Sequence, residues 1–207
     1  MIQVLIVEDS QIFRKVIENQ IARSEQYALY ASIENPANAE IACLRGKVDL
    51  ILMDVCTADD ESGLKAAAKI KQYNSKIKII IMTSMPEHSF IQKAKKYGCD
   101  GFWYKEYEDN SLIEICDRVL NGEKVYPENT PTIRIGCADN REFTNREFQI
   151  IRELTKGRKY EDIAVELDIS LNTVKYHIKN ILLKTGFQNT LQVVAEVVER
   201  RLILPKY

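Results

Sequence analysis

The sequence lacks the features that mark secreted, membrane-spanning and thiolate-metal proteins. Its five cysteines are odd in number and have no CxxC spacing, so a disulfide framework or a zinc knuckle is poorly supported. No apolar run reaches the ~18 residues that a membrane span needs. The N-terminal stretch has no basic segment before Glu8, which argues against a signal peptide. We therefore expect a cytoplasmic protein with reduced thiols and no membrane partner.

A strong charge of one sign is also missing, because the net charge is −1. The two halves of the chain nevertheless differ in charge. Residues 1–120 contain 15 lysines and arginines against 18 aspartates and glutamates, whereas residues 141–207 contain 12 against 9. This modest difference favours binding of a polyanion by the second half alone.

Short apolar runs alternate with segments of helical spacing in the first 120 residues. The central runs, over 48–53 and 76–83, are apolar almost throughout, as in strands covered on both faces of a parallel sheet. Helices are predicted between the strands, including one over 86–97 and a last one over 109–120. Five βα units predict a doubly wound α/β domain over residues 1–121, with the parallel strand order 2-1-3-4-5.

The pattern changes after this domain. Residues 122–141 have no sustained period and contain turn-forming residues, which is typical of a linker. Residues 142–207 have helical spacing throughout, and Thr144 with Glu147 forms a capping box at the start of the first helix. Two later helices meet at a tight turn over 168–170, as in a helix-turn-helix. The sequence therefore predicts an all-α, four-helix domain over 142–207.

Charged and hydroxyl side chains follow the predicted strands. They are Glu8 and Asp9 after the first strand, Asp54 after the third, Thr83 at the end of the fourth and Lys105 after the fifth. The carboxyl ends of parallel strands meet at one edge of the sheet, where three carboxylates repel one another unless a cation lies among them. Mg²⁺ suits such oxygen ligands. A carboxylate can also attack phosphorus to give an acyl phosphate, whose oxygens a hydroxyl and an ammonium would hold.

The spacing of these five residues resembles the CheY-like receiver domain of bacterial response regulators, over about residues 1–120. The resemblance implies that Asp54 accepts a phosphoryl group from a sensor histidine kinase. It implies four Mg²⁺ ligands, which are the side chains of Glu8, Asp9 and Asp54 and the backbone carbonyl of Cys56. It also implies three further roles, which are Thr83 as switch hydroxyl, Phe102 as switch aromatic and Lys105 as the phosphate-pairing lysine.

Two stretches depart from the receiver pattern. The family usually has Met-Pro shortly after the phosphoacceptor, whereas this chain has a loop with three extra acids, Asp59, Asp60 and Glu61. The family often has proline after the lysine, whereas this chain has Glu106. The extra acids would hold the metal more tightly or repel an anionic phosphoryl donor. We therefore expect them to change the rate of phosphorylation more than its chemistry.

The segment over 170–184 contains three lysines and no acid. Apolar residues form one stripe at helical spacing and polar residues lie away from it, so such a helix fits the major groove of DNA. The region over 143–202 resembles the LuxR-type DNA-binding domain, on the segments 143–147, 163–164, 173–178 and 180–181. One departure is Tyr160, where the family commonly has Ser or Thr as a helix cap. The resemblance implies contacts with DNA by Thr173, Lys175, Tyr176, Lys179, Asn180 and Lys184.

A receiver followed by this domain is the arrangement of the NarL/FixJ subfamily. The first functional hypothesis is a DNA-binding response regulator that is phosphorylated on Asp54, forms a homodimer and controls transcription. The second is a phosphorylation-independent DNA-binding regulator whose atypical receiver serves for dimerisation. The third, a Mg²⁺-dependent phosphohydrolase, is weaker because Cys56 occupies the place of the usual second Asp. We expect no enzyme activity beyond the receiver's own phosphorylation and dephosphorylation.

Overall fold

The computed structural model describes residues 1–55, 62–105, 111–200 and 202–203. The chain forms two compact units. The first contains Met1–Thr83 and Ser89–Asn129, and the second contains Ser84–His88 and Thr130–Tyr207. Within the described part of the chain, no helix combines the length and the apolar character that a membrane crossing requires.

A five-stranded parallel sheet is the centre of the first unit, and its order is β2-β1-β3-β4-β5, as predicted. The strands are β1 (Ile2–Val7), β2 (Tyr27–Ile33), β3 (Leu50–Asp54), β4 (Lys78–Thr83) and β5 (Gly101–Tyr104). All five residues of β3 are buried, because it lies between two strands and is covered on both faces. The strand begins later than predicted, since the Asp49 carboxylate accepts a hydrogen bond from the Gln3 N–H at 2.9 Å.

Five helices of the described part of the chain surround the sheet. They are α1 (Gln11–Ala22), α2 (Pro36–Arg45), α3 (Ser62–Tyr73), α4 (His88–Lys96) and α5 (Leu112–Leu120). Helix α4 starts two residues after the predicted position, because the Glu87 N–H donates to the Met85 carbonyl at 2.9 Å in a turn. Helix α5 starts at Leu112, where the Ser111 side chain accepts from the Glu114 N–H. Residues 109 and 110, which were predicted to begin that helix, lie outside the described residues.

One face of the sheet packs against α1 and α5 in an apolar cluster. The cluster includes Ile6 and Leu52 of the sheet, Ile17 of α1 and Val119 of α5. Trp103 of β5 is half-buried and packs against the same cluster. Burial of these side chains is the main favourable contribution to the stability of the unit.

The segment after α5 contains short elements where the sequence predicts a linker. Val125 forms a parallel bridge with Gly101, beside β5. Further along, β6 (Arg134–Ile135) and β7 (Ala138–Asp139) form an antiparallel pair, and a 3-10 turn follows over Asn140–Glu142.

Over residues 130–200 and 202–203, four helices form most of the second unit, as predicted. They are α6 (Asn145–Thr155), α7 (Tyr160–Glu166), α8 (Leu171–Thr185) and α9 (Thr190–Glu199). The predicted capping box at the start of α6 is present, because the Thr144 side chain accepts from the Glu147 N–H and the Glu147 carboxylate accepts from the Thr144 N–H. Ile150, Val174 and Ile181 are fully buried between the helices.

Candidate functional site

Three carboxylates meet at the carboxyl ends of β1 and β3. Glu8 directly follows β1 and is buried, Asp9 is half-buried, and Asp54 is the last residue of β3 and is buried. One carboxylate oxygen of each lies within 4.8 Å of those of the other two. The structure therefore places these three predicted residues in one cluster.

Lys105 brings a positive charge to the cluster. Its Nζ atom lies 2.6 Å from Asp54 Oδ1 and also pairs with the Glu8 carboxylate. Its side chain is only 4% exposed, so water screens these interactions little. Thr83 is buried at the end of β4, and its backbone carbonyl accepts a hydrogen bond from the Lys105 backbone N–H at 3.0 Å. All five predicted strand-end residues are thus at the same edge of the sheet.

Burial and neighbouring charges shift the pKa values of Glu8 and Lys105 in this cluster. Burial, followed by the nearby Asp54 carboxylate, raises the pKa of Glu8 to about 7, although Lys105 acts in the opposite direction. Burial alone would lower the pKa of Lys105, but the charges and hydrogen bonds of Asp54 and Glu8 raise it well above its ordinary value. Among the described residues, the Lys105 ammonium thus pairs with two members of a cluster of three carboxylates.

A divalent cation fits this donor set. Three carboxylates within 4.8 Å of one another offer the hard oxygen ligands that Mg²⁺ prefers. The half-buried position of Asp9 keeps one ligand close to solvent, which suits an ion that retains several waters. The backbone carbonyl of Cys56, which the sequence predicts as a fourth ligand, lies outside the described residues, as does the acidic loop that follows Asp54.

Three residues of this site were not predicted from the sequence. The Lys105 ammonium lies 5.1 Å from the centre of the Phe13 ring. Arg14 donates to the Glu8 carbonyl at 2.9 Å and forms an ion pair with Glu34. Gly63 approaches the backbone so closely that a Cβ atom there would lie 1.8 Å from the Asp54 carbonyl oxygen. The only local signal for Gly63 is a glycine at the start of a predicted helix.

Phe102 lies inside the first unit. Its side chain is fully buried, and its ring meets the Tyr104 ring edge-on with 5.0 Å between the ring centres. In the strand register it pairs with Ile81 of β4. Phe102 is the second of the four residues of β5, and it is three residues before Lys105, which follows the strand.

The helix-turn-helix consists of α7, a tight turn and α8. Asp168 has a φ of 52° in the turn, which only a few residue types other than glycine adopt readily. Ser170 caps α8, because its hydroxyl accepts from the Thr173 N–H at 3.0 Å. Gly186 ends the helix in the left-handed conformation, with a φ of 73°. These caps fix both ends of the predicted recognition helix.

One face of α8 is exposed and carries cations. Lys175, Tyr176 and Lys179 are exposed, and Thr173 and Asn180 are half-buried. The opposite face is buried and consists of Val174, Ile178, Ile181 and Thr185. The helix can therefore pack in its unit and still present ammonium groups and hydrogen-bond donors to a polyanion.

The structure shows the local surroundings of two further residues that the sequence analysis named in this unit. Lys184 is half-buried, with its Nζ atom 2.6 Å from Glu147 Oε2 and 2.8 Å from the Glu142 carbonyl oxygen, so it stabilises the junction of α6 and α8. Tyr160, which stands where the family commonly has a capping Ser or Thr, is not the cap of its helix. Helix α7 begins at Tyr160, and the cap is Lys159, whose backbone is extended and whose side chain makes no capping hydrogen bond.

A cluster of this kind on a 2-1-3-4-5 sheet, in a chain whose second unit contains a helix-turn-helix, is typical of two-component response regulators. Family models agree with this class. The model described as "Response regulator receiver domain" matches residues 4–117, and the model described as "Bacterial regulatory proteins, luxR family" matches residues 141–197. The chain belongs to the response regulators and carries a LuxR-type DNA-binding domain.

Known proteins are similar along nearly the whole chain. "Response regulator protein VraR" of Staphylococcus epidermidis is 29% identical over 207 residues, which cover 98% of this chain and 99% of that protein. The RcsB response regulator of Salmonella typhimurium has a TM-score of 0.56 and 18% identity, with 94% of this chain and 96% of that chain covered. An RcsB–DNA complex has a TM-score of 0.57 and 17% identity, with coverage of 95% and 97%. At these identities the two solved structures establish the fold alone.

Proposed function

We propose that this response regulator accepts a phosphoryl group on Asp54 from a sensor histidine kinase and thereby controls DNA binding and transcription. The observation that carries the proposal is the buried contact of 2.6 Å between Lys105 Nζ and Asp54 Oδ1. A permanent cation beside a buried carboxylate is well placed to stabilise the charge that develops on a transferred phosphoryl group.

The chemistry is a direct displacement at phosphorus. A carboxylate oxygen of Asp54 forms the new O–P bond while the P–N bond of the phosphohistidine breaks, and the imidazole leaves as the neutral group after it takes up a proton. Lys105 neutralises one phosphoryl oxygen, and the Thr83 hydroxyl donates to another. Glu8, Asp9 and Asp54 would hold Mg²⁺, which when bound neutralises charge on both the carboxylates and the phosphoryl oxygens.

The second part of the proposal is binding of DNA by α8. Lys175, Tyr176 and Lys179 are exposed on one face and would enter the major groove, with Thr173 and Asn180 beside the DNA backbone. Each lysine that contacts a phosphate releases counterions, so binding should weaken steeply with salt. The contacts of Lys184 with Glu147 favour a structural role over a contact with the DNA backbone.

The partners follow from this proposal. A homodimer of the phosphorylated protein would place two α8 helices on half-sites about one helical turn of DNA apart. Both the kinase contact and the DNA contact require the cytoplasm as the place of action. We propose no turnover of an external substrate, because the proposal assigns the strand-end cluster to the receiver's own phosphoryl chemistry.

The test is incubation with acetyl phosphate and Mg²⁺, followed by intact-mass measurement of the wild type and of Asp54→Asn. The expected result is a gain of about 80 Da in the wild type alone, stable to acid and labile to base. A mobility-shift assay on the same samples reports DNA binding. The absence of a mass gain, with DNA binding retained, would contradict this proposal and support the phosphorylation-independent regulator.

A further inference from the structure

Residues Lys124–Tyr126 lie along the free edge of β5 and are called the strap below. The Val125 N–H donates to the Asp100 carbonyl at 3.0 Å, and the Phe102 N–H donates to the Val125 carbonyl at 2.8 Å. Val125 thereby forms a parallel bridge with Gly101. The strap extends the sheet beyond β5 by a single short segment, held to it by two backbone hydrogen bonds.

Side chains fix the strap in the same place. Lys124 Nζ lies 2.9 Å from Asp100 Oδ1 and 3.0 Å from the Cys99 carbonyl oxygen. The Tyr126 hydroxyl donates to that same carbonyl at 2.6 Å. The Val125 side chain is buried in the apolar cluster between the sheet and helices α1 and α5. The strap is therefore bound specifically to the amino-terminal half of β5.

The other end of β5 leads directly into the phosphoryl site. Lys105 follows the strand, and its ammonium is held by Asp54 and Glu8 at 4% side-chain exposure. When Asp54 carries a phosphoryl group, this ammonium must pair with the new oxygens, because almost no water can reach it. Strand β5 has only four residues, and Phe102 is three residues before Lys105. A shift of the Lys105 backbone can therefore displace Phe102, whose N–H donates to the strap.

The sequence limits how firmly the strap can pair. Pro127 follows it directly and has no N–H, so the pairing cannot extend further along the edge of β5. Two backbone hydrogen bonds are few enough to be broken or exchanged when the strand shifts. The chain then continues from Pro127 toward β6 of the second unit.

We propose that the strap transmits the state of Asp54 through β5 to the chain segment that leads into the DNA-binding unit. This inference rests on the proposed function, because it requires phosphorylation of Asp54. Phosphorylation pulls Lys105 toward the phosphoryl group, shifts the Phe102 N–H and loosens the strap. Loosening of the strap frees the segment from Pro127 onward and changes the affinity for DNA.

A double variant tests the strap without touching the phosphoryl site or α8. Lys124→Ala with Tyr126→Phe removes the side-chain contacts with Asp100 and Cys99. The matched control is Lys96→Ala with Tyr97→Phe, which removes the same two groups from α4 and the residue after it. Each full-length protein is treated with acetyl phosphate and Mg²⁺, and its mass and its Kd are measured. The DNA probe is a duplex that the wild type selects from a random-sequence pool.

The double variant should be phosphorylated as fully as the wild type. Its change in Kd on phosphorylation should be about fivefold smaller, which corresponds to the loss of one net hydrogen bond. The control should respond like the wild type. An equal response of the double variant would overturn the role of the strap and leave the proposed function intact. A wild type that gains no mass would contradict the proposed function and the strap together.

Hydrogen exchange gives a second test that needs no variant of the strap and so does not depend on its folding. The Val125 and Phe102 amides of the wild type should exchange about fivefold faster after phosphorylation, whereas those of Asp54→Asn should not change. Unchanged exchange at both amides in a phosphorylated wild type would overturn the inference. A phosphorylated wild type with an unchanged Kd would overturn it as well, while the phosphoryl chemistry would stand.

Discussion

The ammonium of Lys184, at the last turn of α8, lies 2.6 Å from the buried carboxylate of Glu147, at the first turn of α6. The same carboxylate accepts hydrogen bonds from the Thr144 N–H and hydroxyl. A single buried acid therefore caps one helix and orients another. Because of this ion pair, two lysines of α8 that look equivalent in the sequence have different surroundings in the structure.

Lys184→Met should lower the free energy of unfolding by about 2 kcal/mol, because Glu147 then stays buried without its cation. Lys179→Met should change stability by less than about 0.5 kcal/mol, since Lys179 is exposed.

For DNA binding, we expect the larger effect from the substitution of Lys179 and the smaller effect from that of Lys184. Lys179→Met should reduce the slope of log K against log salt by about one, and Lys184→Met should leave that slope unchanged. Urea denaturation and salt titrations of binding measure both quantities. Equal stability of the two variants would contradict the structural role of Lys184.

Acid should destabilise the fold through Glu147. Burial raises the pKa of this carboxyl, but the hydrogen bonds from Lys184 and Thr144 outweigh it and hold the pKa below its ordinary value of 4.5. The contribution to stability is therefore fully present above pH 4.5 and is lost as the pH falls through the lower value of the folded state. Glu147→Gln should lose less stability than the wild type between pH 5 and pH 3, as measured by denaturant midpoints. Glu161→Gln, at an exposed acid of α7, serves as the control and should follow the wild type.

Gly63→Ala should damage the phosphoryl site. Its Cβ would lie 1.8 Å from the Asp54 carbonyl oxygen, so the backbone at the end of β3 must move. We expect a loss of stability of about 2–3 kcal/mol and a phosphorylation rate at least about tenfold lower. Ala68→Gly on the same helix costs about 1 kcal/mol of helix propensity but leaves Asp54 in place. Equal rates of phosphorylation of the two variants by acetyl phosphate would contradict the claim that the close approach at Gly63 positions Asp54.

Asp168 stores backbone strain in the turn of the helix-turn-helix. Its φ of 52° costs a residue with a Cβ atom on the order of 1 kcal/mol. Asp168→Gly should therefore stabilise the protein by about 0.5 kcal/mol, after the entropy of the more flexible unfolded chain is subtracted. Asp168→Val should destabilise it by more than about 1 kcal/mol, because a β-branched side chain tolerates this conformation least. Thermal denaturation compares the three proteins, and a glycine variant less stable than the valine variant would contradict the argument.

Asp9→Asn should weaken Mg²⁺ binding. It removes one of the three carboxylates within 4.8 Å of one another and leaves the two buried ones in place. We expect about a tenfold lower affinity by isothermal titration calorimetry, because ligand charge sets the affinity of such sites. Glu34→Gln removes an acid that pairs with Arg14 instead, and it should bind Mg²⁺ like the wild type. Identical affinities of all three proteins would contradict the assignment of Asp9 as a ligand.

The strand-end cluster could be predicted because its signals are local. Asp54 follows an apolar run that must be a buried strand, and the parallel topology brings the ends of such strands together. The partner of Lys184 could not be predicted, since Glu147 is 37 residues away and no periodic pattern connects them. The same holds for Val125, whose pairing with β5 depends on the tertiary structure. A contact between distant segments could be predicted only where the strand topology already brings the two segments together.

Trp103 is the only tryptophan of the chain, and it lies in β5 between the strap and Lys105. It packs, half-buried, against the apolar cluster that also contains Val125. Its indole emission therefore originates from the one strand that joins the phosphoryl site to the strap. Stopped-flow fluorescence of Trp103 can follow the time course of phosphorylation in the native chain without a label. The signal comes from β5, the strand that has to move if the strap is to loosen.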